Sequence, residues 1–575
     1  MTEKKKFMIG NSSFFNIMQS GYYYVDKSLL VKELLDNPAM VTLITRPRRF
    51  GKTLNMDMLR AFFEKGSGCR KYFEHLKIWE HGEQYTRHCE KYPVISISLK
   101  DVKGDSWEEM YRQFQQVIMN EIDRLEGKGF LAGATKLQRG MIDKILGMKG
   151  GEGEFRNSLQ TLCLSIAGTT GINPVVLIDE YDVPIHEAHE KGYYEQALAF
   201  EKTWLSGGLK DNGSLDFAVV TGVLRIAKES IFSDLNNLKV YPLMSEKFSE
   251  FFGFTEDEIK ELADYYLVPG QVEVIKEWYD GYRFGSKEIY NPWSVVNFFS
   301  EGYQARTYWN QTSRNELLHS MLRTASPEVY SDLREMLVGE NCQAVIYDSI
   351  TYDTVDNSSL NQAPKEKIPL FTLLVMTGYL KVEKVHRILS TSYICDLAIP
   401  NKEIKSLYAE EILDQCRPIL PVSFSTRFEN ALLMNKTEEL SATMREFLLQ
   451  STSAHDLSHE AFYQGLMSGL CAVMYNDYYL TGNMESGEGR YDIQLKPKMA
   501  VRPGILIELK VDLAHKQDSG LTEVLTKLAD KALFQIMDKE YMCDLRMSGC
   551  KEAIVYGMAF KGKHVEVRSR TIQLR

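Results

Sequence analysis

The sequence predicts an α/β protein in three parts. A parallel sheet with flanking helices opens the chain, a mainly helical middle follows, and a second, smaller α/β unit closes it. Three stretches carry this expectation. Val41–Ile44 is a short apolar, β-branched run that leads through a turn into Gly51-Lys52-Thr53 and a helical pattern over Leu54–Phe63. Val175–Ile178 is a four-residue apolar run that ends on Asp179-Glu180. Ile505–Val511 is a third apolar run, interrupted by Glu508 and Lys510. The expected boundaries are 1–250, 251–400 and 401–575.

Composition bounds the function classes. The 575 residues are 44% hydrophobic and 25% charged, the balance of an ordinary globular protein with ample core. A net charge of −10 excludes a protein coated in basic surface, but leaves room for a local basic groove. The nine cysteines form no Cys-x-x-Cys pair, so free thiols in a reducing compartment are expected rather than a disulfide framework or zinc cage. Pro369–Leu380 is the longest apolar run and is too short to span a bilayer, and no secretory signal is read at the N-terminus. A cytoplasmic protein without membrane contact is expected.

Strand, turn, Gly-Lys-Thr, helix is the order of a phosphate-binding loop. Backbone N–H groups at the helix start cradle phosphate oxygens, a lysine reaches the outer phosphates, and a threonine hydroxyl can ligate magnesium. Lys52 and Thr53 take those parts, with Gly51 and Leu54 beside them. One departure stands out: the first glycine of G-x-x-x-x-G-K-T falls at position 46, which is Arg46. Gly-Lys-Thr alone is weak evidence, and Asp179-Glu180 is the partner it requires. An apolar strand buried on both faces belongs to a parallel sheet, and α/β sheets bind ligands at the C-terminal ends of their strands. Asp179 would hold magnesium and Glu180 would polarise the attacking water. An acidic pair after a core strand also suits a plain surface turn; the loop upstream selects the nucleotide reading. Asp216–Arg225 reads as a further strand, with Thr221 near the γ-phosphate and Arg225 either sensing it or pairing with Asp182 or Asp234.

Around these motifs, residues 12–36 read as helical with Asp26 as a cap, and Pro93–Leu99 reads as a strand. Residues 106–126 and 153–168 read as helices separated by a glycine-rich loop over 147–153. In the middle, Thr255-Glu-Asp-Glu258 is a capping box and Asn291-Pro292 opens another helix. Helices are expected over 313–338 and 365–378, then a hairpin over 382–399, an order that suits a winged-helix lid. The many aromatics here read as core rather than as a base-stacking platform. Residues 401–450 read as helical.

Several blocks taken together resemble the predicted AAA-ATPase-like family: Tyr24-Val-Asp-Lys27, Arg46-Pro-Arg-Arg-Phe-Gly-Lys-Thr53, Asp179-Glu-Tyr-Asp-Val-Pro-Ile185, Asn236-Asn-Leu238, Phe252-Gly-Phe-Thr255, Tyr279-Asp-Gly-Tyr282 and Tyr290-Asn-Pro-Trp-Ser294. The resemblance covers residues 5–310. It implies that Arg-Pro-Arg-Arg-Phe-Gly-Lys is that family's own form of the loop. Arg46, Arg48, Arg49 and Phe50 then join the nucleotide-binding set, the arginines supplementing the cradle or one of them docking the middle domain. It also implies a nuclease-like domain at the C-terminus.

The last third meets that implication. His459–Met474 has helical spacing and contains Glu460, Tyr478–Glu485 and Arg490–Leu495 read as strands, and Asp492 lies in the second of them. Glu508 and Lys510 are two apart on the next strand and face one way. A charged pair on an apolar strand is costly unless it is solvated, paired or metal-bound. Asp, then Glu-x-Lys on the following strand, resembles the PD-(D/E)XK nuclease superfamily, and the C-terminal unit is expected to be restriction-endonuclease-like. That resemblance implies that Asp492 and Glu508 hold magnesium, with Glu460 as a further ligand, and that Lys510 orients the attacking water. The helix expected over 522–541 places Gln535 and Tyr541 in a spacing similar to that of several members, as supports of the site or contacts to DNA. Residues 552–560 read as the last strand. The combined expectation is an ATP-binding and ATP-hydrolysing protein with a magnesium-dependent DNA endonuclease domain, as a monomer or homo-oligomer. The alternative is an ATP-driven signalling or defence switch whose C-terminal domain only binds nucleic acid or a partner.

Overall fold

The computed structural model describes residues 4–225, 232, 236–309, 327–337, 339–349, 367–389, 392–408, 423–451, 463, 466–467, 470–471, 474, 477–482, 485–486, 489–499, 501–512, 520–538 and 541–574. The chain divides into two compact units, Met1–Trp309 with Ala344–Cys395, and Asn310–Gln343 with Asp396–Arg575.

The first unit is built on five parallel strands: β1 (Val41–Thr45), β2 (Val94–Ser98), β3 (Val175–Asp179), β4 (Ala218–Gly222) and β5 (Leu238–Tyr241), in the order β2-β3-β4-β1-β5. Every residue of β1, β3 and β4 is buried, as a sheet covered by helices on both faces requires. Side chains alternate across the sheet. Val41, Leu43, Ile95, Ile97, Val176, Ile178, Ala218 and Val220 therefore share one face and pack with Phe114 and Trp204 of the helix layer. Since all five strands run one way, Thr45, Asp179 and Gly222 finish at the same edge.

Helices largely follow the pattern in the sequence, with local differences. The stretch 12–36 forms two helices, Phe14–Gln19 and Leu29–Asp36, interrupted near Gly21, whose φ is +71°. Asp26 accepts the Ser28 and Lys77 N–H groups and so braces the turn between them. An unanticipated helix, Lys136–Leu146, is closed by a Thr135–Gln138 capping box, and the expected helix over 153–168 is split into Glu152–Arg156 and Ser158–Thr170. The expected strand over 216–225 is only Ala218–Gly222. The Asp182 carboxylate takes the Val223 and Leu224 N–H groups, which removes them from the ladder.

Further along, Thr255 and Glu258 form the capping box and Asn291 caps Pro292–Ser300, as the sequence indicates. The aromatics there are core: Phe254, Trp278, Tyr279, Tyr290, Phe298 and Tyr308 belong to one buried cluster. A short hairpin, β6 (Tyr282–Phe284) and β7 (Lys287–Ile289), was not legible. Helix Lys367–Thr377 matches its expectation. Of the helix expected over 313–338, Pro327–Leu337 is seen, and 313–326 lies outside the described residues. The expected hairpin is β9 (Lys381–Ile388) with β10 (Ser392–Ala398), and β8 (Cys342–Tyr347) adds a third strand in the order β8-β10-β9.

The second unit carries a mixed sheet of β11 (Tyr478–Gly482), β14 (Ile493–Pro497), β15 (Gly504–Val511), β16 (Glu552–Lys561) and β17 (His564–Gln573), in that order; β12 (Glu485–Ser486) and β13 (Gly489–Arg490) form a small ribbon. Only β15 and β16 are parallel neighbours, and helix Leu521–Asp538 crosses between them. That helix lies so close that a Cβ on Gly557 would stand 2.1 Å from the Ala529 carbonyl oxygen, so only glycine fits there. Residues 552–560 are not the last strand: β17 pairs antiparallel with β16 along its whole length. The helix expected to reach Tyr541 is described over Leu521–Asp538, and Tyr541 itself lies in a turn. Most of 459–474, including Glu460, lies outside the described residues. Among the described residues no helix is long and apolar enough to cross a membrane.

One buried group has a measurable consequence. Glu201, on helix Tyr194–Leu209, is 3% exposed and its Oε1 has no hydrogen-bond partner among the described residues. Burial first, and the Asp182 charge second, push its carboxyl well above the usual carboxylate range. A raised folded-state pKa contributes stability below the unfolded value, and that contribution is lost as pH rises through the folded value. Glu201→Gln is therefore expected to gain on the wild type as pH rises, by roughly 2–4 °C in melting temperature between pH 6 and 9. A difference that stays constant with pH would contradict the neutral carboxyl.

Candidate nucleotide and metal sites

The first site is at the C-terminal edge of the parallel sheet. β1 runs into the loop over 46–51, and Gly51, with φ at +80°, turns the chain into helix Lys52–Phe63 without a side-chain cap. Only a residue tolerant of the left-handed region makes that turn cheaply, and it leaves the first N–H groups of the helix facing the loop. Lys52 is 3% exposed and donates to the Arg46 and Pro47 carbonyl oxygens at 3.1 and 2.9 Å. Burial lowers its ammonium pKa, while Glu180, Asp179 and Asp182 act in the opposite sense. Asp179 receives two hydroxyls: Thr53 Oγ1 donates to its Oδ2 at 2.7 Å and Thr221 Oγ1 to its Oδ1 at 2.5 Å. Three chain segments distant in sequence thus meet on one carboxylate.

Glu180 follows with φ at +54°, in the left-handed region that non-glycine residues seldom occupy. Burial raises its carboxyl pKa, Lys52 opposes this, and Asp179 and Asp182 add to it. Glu180 and the 49–55 stretch form one side of a cavity of about 310 Å³, and the rest of the wall is largely apolar and aromatic, including Phe7, Tyr23 and Trp293, with Asn11, Ser12 and Lys27 among them. The sequence reading missed this wall. Its one local signal is the Tyr24-Val-Asp-Lys27 block.

The arginines of the loop separate into different tasks. Arg46 is fully buried and donates to the carbonyl oxygens of Thr45, Tyr241, Pro242, Lys247 and Phe248. This departs from the expectation that Arg46 contacts nucleotide: its terminal N–H groups are committed to Thr45 and the chain over 241–248, and its Nε has no hydrogen-bond partner among the described residues. Arg49 donates to the Trp309 carbonyl and stands 5.6 Å from the Trp293 ring. Phe50 is buried edge-on against Tyr282 at 4.8 Å. Arg48 is exposed, and its charge acts on Glu180. Asp182 is occupied by backbone N–H groups, Asp234 lies outside the described residues, and the Arg225 charge acts on Asp348.

The second site lies where β14 and β15 begin to diverge. Ile493 is paired with Ile507, and the next step of that register sets Asp492 against Glu508. Asp492 Oδ2 accepts the Leu509 N–H at 2.7 Å. Glu508 is 2% exposed; its Oε1 accepts from Lys510 Nζ at 2.8 Å and its Oε2 has no hydrogen-bond partner among the described residues. Burial, then the Asp492 charge, push its carboxyl up to about 7 against the pull of Lys510. Gln535 Nε2 donates to Tyr541 Oη at 3.2 Å, although Tyr541 lies beyond the helix end. Tyr541 is buried beside Tyr491, so it braces the sheet.

The comparisons divide at the same two places. Residues 8–232 match the model of the Predicted AAA-ATPase family, and residues 458–570 match that of the PD-(D/E)XK nuclease superfamily. The chain joins a predicted AAA-ATPase domain to a PD-(D/E)XK nuclease-superfamily domain. It is also similar to a protein of Azotobacter chroococcum mcd 1, described as an uncharacterized protein in the vnfD 5'region, with 26% identity over 490 residues, 85% of this chain and 81% of that protein. Both domains support ATPase-type and nuclease-type activity in general terms.

The AAA-ATPase site offers a hydroxyl, a carboxylate and a buried ammonium whose described acceptors are neutral carbonyls, a donor set suited to a magnesium-bound phosphate chain. The nuclease-superfamily site offers two carboxylates, one of them with a bare buried oxygen. Among the described residues no group of three or more His, Cys, Asp or Glu side chains forms a ready-made metal cage. Two carboxylates suit magnesium, which keeps waters and takes phosphate oxygens for the rest of its shell.

The arginine assignment is testable by denaturation. Arg46→Ala leaves several buried carbonyls without a donor and is expected to cost about 3–4 kcal/mol. Arg48→Ala, at an exposed position, is expected to shift stability by less than about 0.5 kcal/mol. The reverse order would refute the buried clamp.

Proposed function

We propose that the N-terminal unit binds and hydrolyses ATP and that the C-terminal domain is a magnesium-dependent DNA endonuclease, in a cytoplasmic protein. The observation that carries the first half is the convergence of Thr53 and Thr221 on Asp179 beside buried Lys52. In this reading Lys52 leaves the carbonyls of Arg46 and Pro47 to meet the β- and γ-phosphates. Thr53 and Asp179 hold the cation, Thr221 stands near the γ-phosphate, and Glu180 orients the attacking water. The apolar cavity wall takes the nucleoside. In the C-terminal domain Asp492 and Glu508 hold the metal, Lys510 orients water at the scissile phosphate, and Gln535 with Tyr541 keeps the sheet in place. Magnesium supplies charge neutralisation at the phosphates in both sites and acidifies bound water in the second. The three-part division at 250 and 400, with the middle segment as a lid, belongs to the same proposal.

One observation favours the second reading, a switch whose C-terminal domain only binds nucleic acid or a partner. Lys510 and Glu508 already neutralise one another. A cation would have to displace that ammonium.

Cleavage and turnover separate these readings. Lys52→Ala is expected to abolish ATP binding, and Glu180→Gln to retain binding while slowing phosphate release by about 100-fold or more. Asp492→Ala and Lys510→Ala are expected to lower cleavage of supercoiled DNA by at least about 100-fold with ATP turnover intact. Cleavage that survives both substitutions would remove the assigned site. Metal-dependent DNA binding without cleavage in the wild type would select the switch.

A further inference from the structure

On the second unit two lysines stand over one exposed tyrosine, and a third lies one helical turn from the first of them. Tyr479 is on β11, the edge strand of the mixed sheet, and is 40% exposed. Lys402 Nζ stands 4.7 Å and Lys498 Nζ 5.4 Å from the centre of its ring. Lys402 opens a helix over 402–408, capped by Asn401, and Lys498 follows β14. Lys405 adds a third charge one turn along that helix. The lysines repel: burial first, then Lys498 and Lys405, bring the Lys402 ammonium down to about 8, and burial brings Lys405 to the same value. Asp477 acts on Lys498 in the opposite sense, and is also engaged by Arg502 at 3.0 Å. Beside them Met499 and Val501 are 57% and 87% exposed.

Two ammonium groups beside an exposed ring on an edge strand offer a nucleic-acid strand both charge for its phosphates and a face for its bases. The register relates this cluster to the candidate metal site. Tyr479 is paired with Lys496, and Gln494 with Leu506, so Tyr479 and Lys496 share a sheet face with Glu508 and Lys510. Four residues along β14 separate Lys496 from Asp492, about 13 Å at strand rise. That is a stretch of two or three nucleotides.

We propose that Lys402, Lys405, Lys498 and Tyr479 form a second contact for a nucleic-acid strand, beside the Asp492–Glu508 site and separate from it. The lysines neutralise backbone phosphates and the tyrosine ring stacks on a base. The proposal rests on the reading of this domain as one that engages nucleic acid, and it extends that reading to a surface that orients the strand before chemistry.

The test uses the full chain in EDTA with fluorescein-labelled single-stranded and duplex DNA, titrated over a range of salt. The double variant Lys402→Gln, Lys498→Gln is expected to bind about tenfold more weakly at low salt, with a log–log salt slope smaller by about 2. Tyr479→Ala is expected to weaken single-strand binding by about tenfold and duplex binding less. Lys402→Arg should keep wild-type affinity, which separates loss of charge from loss of fold. Unchanged affinity and slope in the double variant would overturn the proposal, as would a wild type that binds poly-glutamate through these lysines in preference to DNA at the same salt. Cleavage scored in separate reactions with magnesium, with Asp492→Ala as the comparison, keeps the two ideas apart. If that cleavage is lost while the lysine variants bind normally, the second contact falls and the nuclease reading stands. If the lysine variants lose binding while Asp492→Ala still cleaves, the contact stands and the metal site falls.

Discussion

The N-terminal site depends on a buried cation that never meets solvent. At the position where a glycine usually opens the phosphate loop, the Arg46 guanidinium fastens the end of β1 to the carbonyls of Tyr241, Pro242 and Phe248. A fully buried arginine is expensive unless its donors are matched, and here neutral carbonyls match its terminal N–H groups. Burial alone pulls its pKa down to about 9, and no carboxylate contributes. The consequence is geometric. With β1 and the chain after β5 locked together, the loop starts from a fixed point, and its own carbonyls at 46 and 47 are placed to hold Lys52.

From that fixed point the loop is connected to the aromatic layer that follows it in the same unit. Phe50 packs against Tyr282 and Phe284, Tyr282 stacks on Trp309 at 5.8 Å, and Trp309 meets Tyr379 at the start of the β9 hairpin. Gly378 sits where a Cβ would press on Trp309, Pro47 and Tyr282, and its φ of +88° admits little else. Arg49, bonded to the Trp309 carbonyl, joins the same layer. Packed rings, rather than a flexible linker, thus connect the loop to this layer.

The two candidate sites handle charge differently. In the first, Asp179 is satisfied by two hydroxyls, and the cost of burial falls on Glu180 and Lys52, whose pKa values move in opposite directions. In the second, the cost falls on Glu508, which holds one ion pair and one bare oxygen in a sheet of apolar neighbours. A strand of Ile, Leu and Val tolerates that carboxylate only because Lys510 lies on the same face two residues on.

By itself the sequence determined the strands that carry the two candidate sites. An apolar run ending in polar residues states both the strand and the end at which chemistry occurs, and spacing of two on a strand places Glu508 with Lys510. Capping boxes and Asn-Pro starts are equally local, and Thr255 and Asn291 were legible for that reason. Tertiary structure alone decided what each charge faces. Arg46, Arg48 and Arg49 are near neighbours in sequence, yet one is buried on carbonyls, one is exposed and one is bound to Trp309. Strand β17, the cavity wall around Phe7 and Tyr23, and the lysines around Tyr479 likewise came from contacts between distant segments. Local pattern specifies which face a side chain presents, and only packing over long sequence separations specifies what meets it.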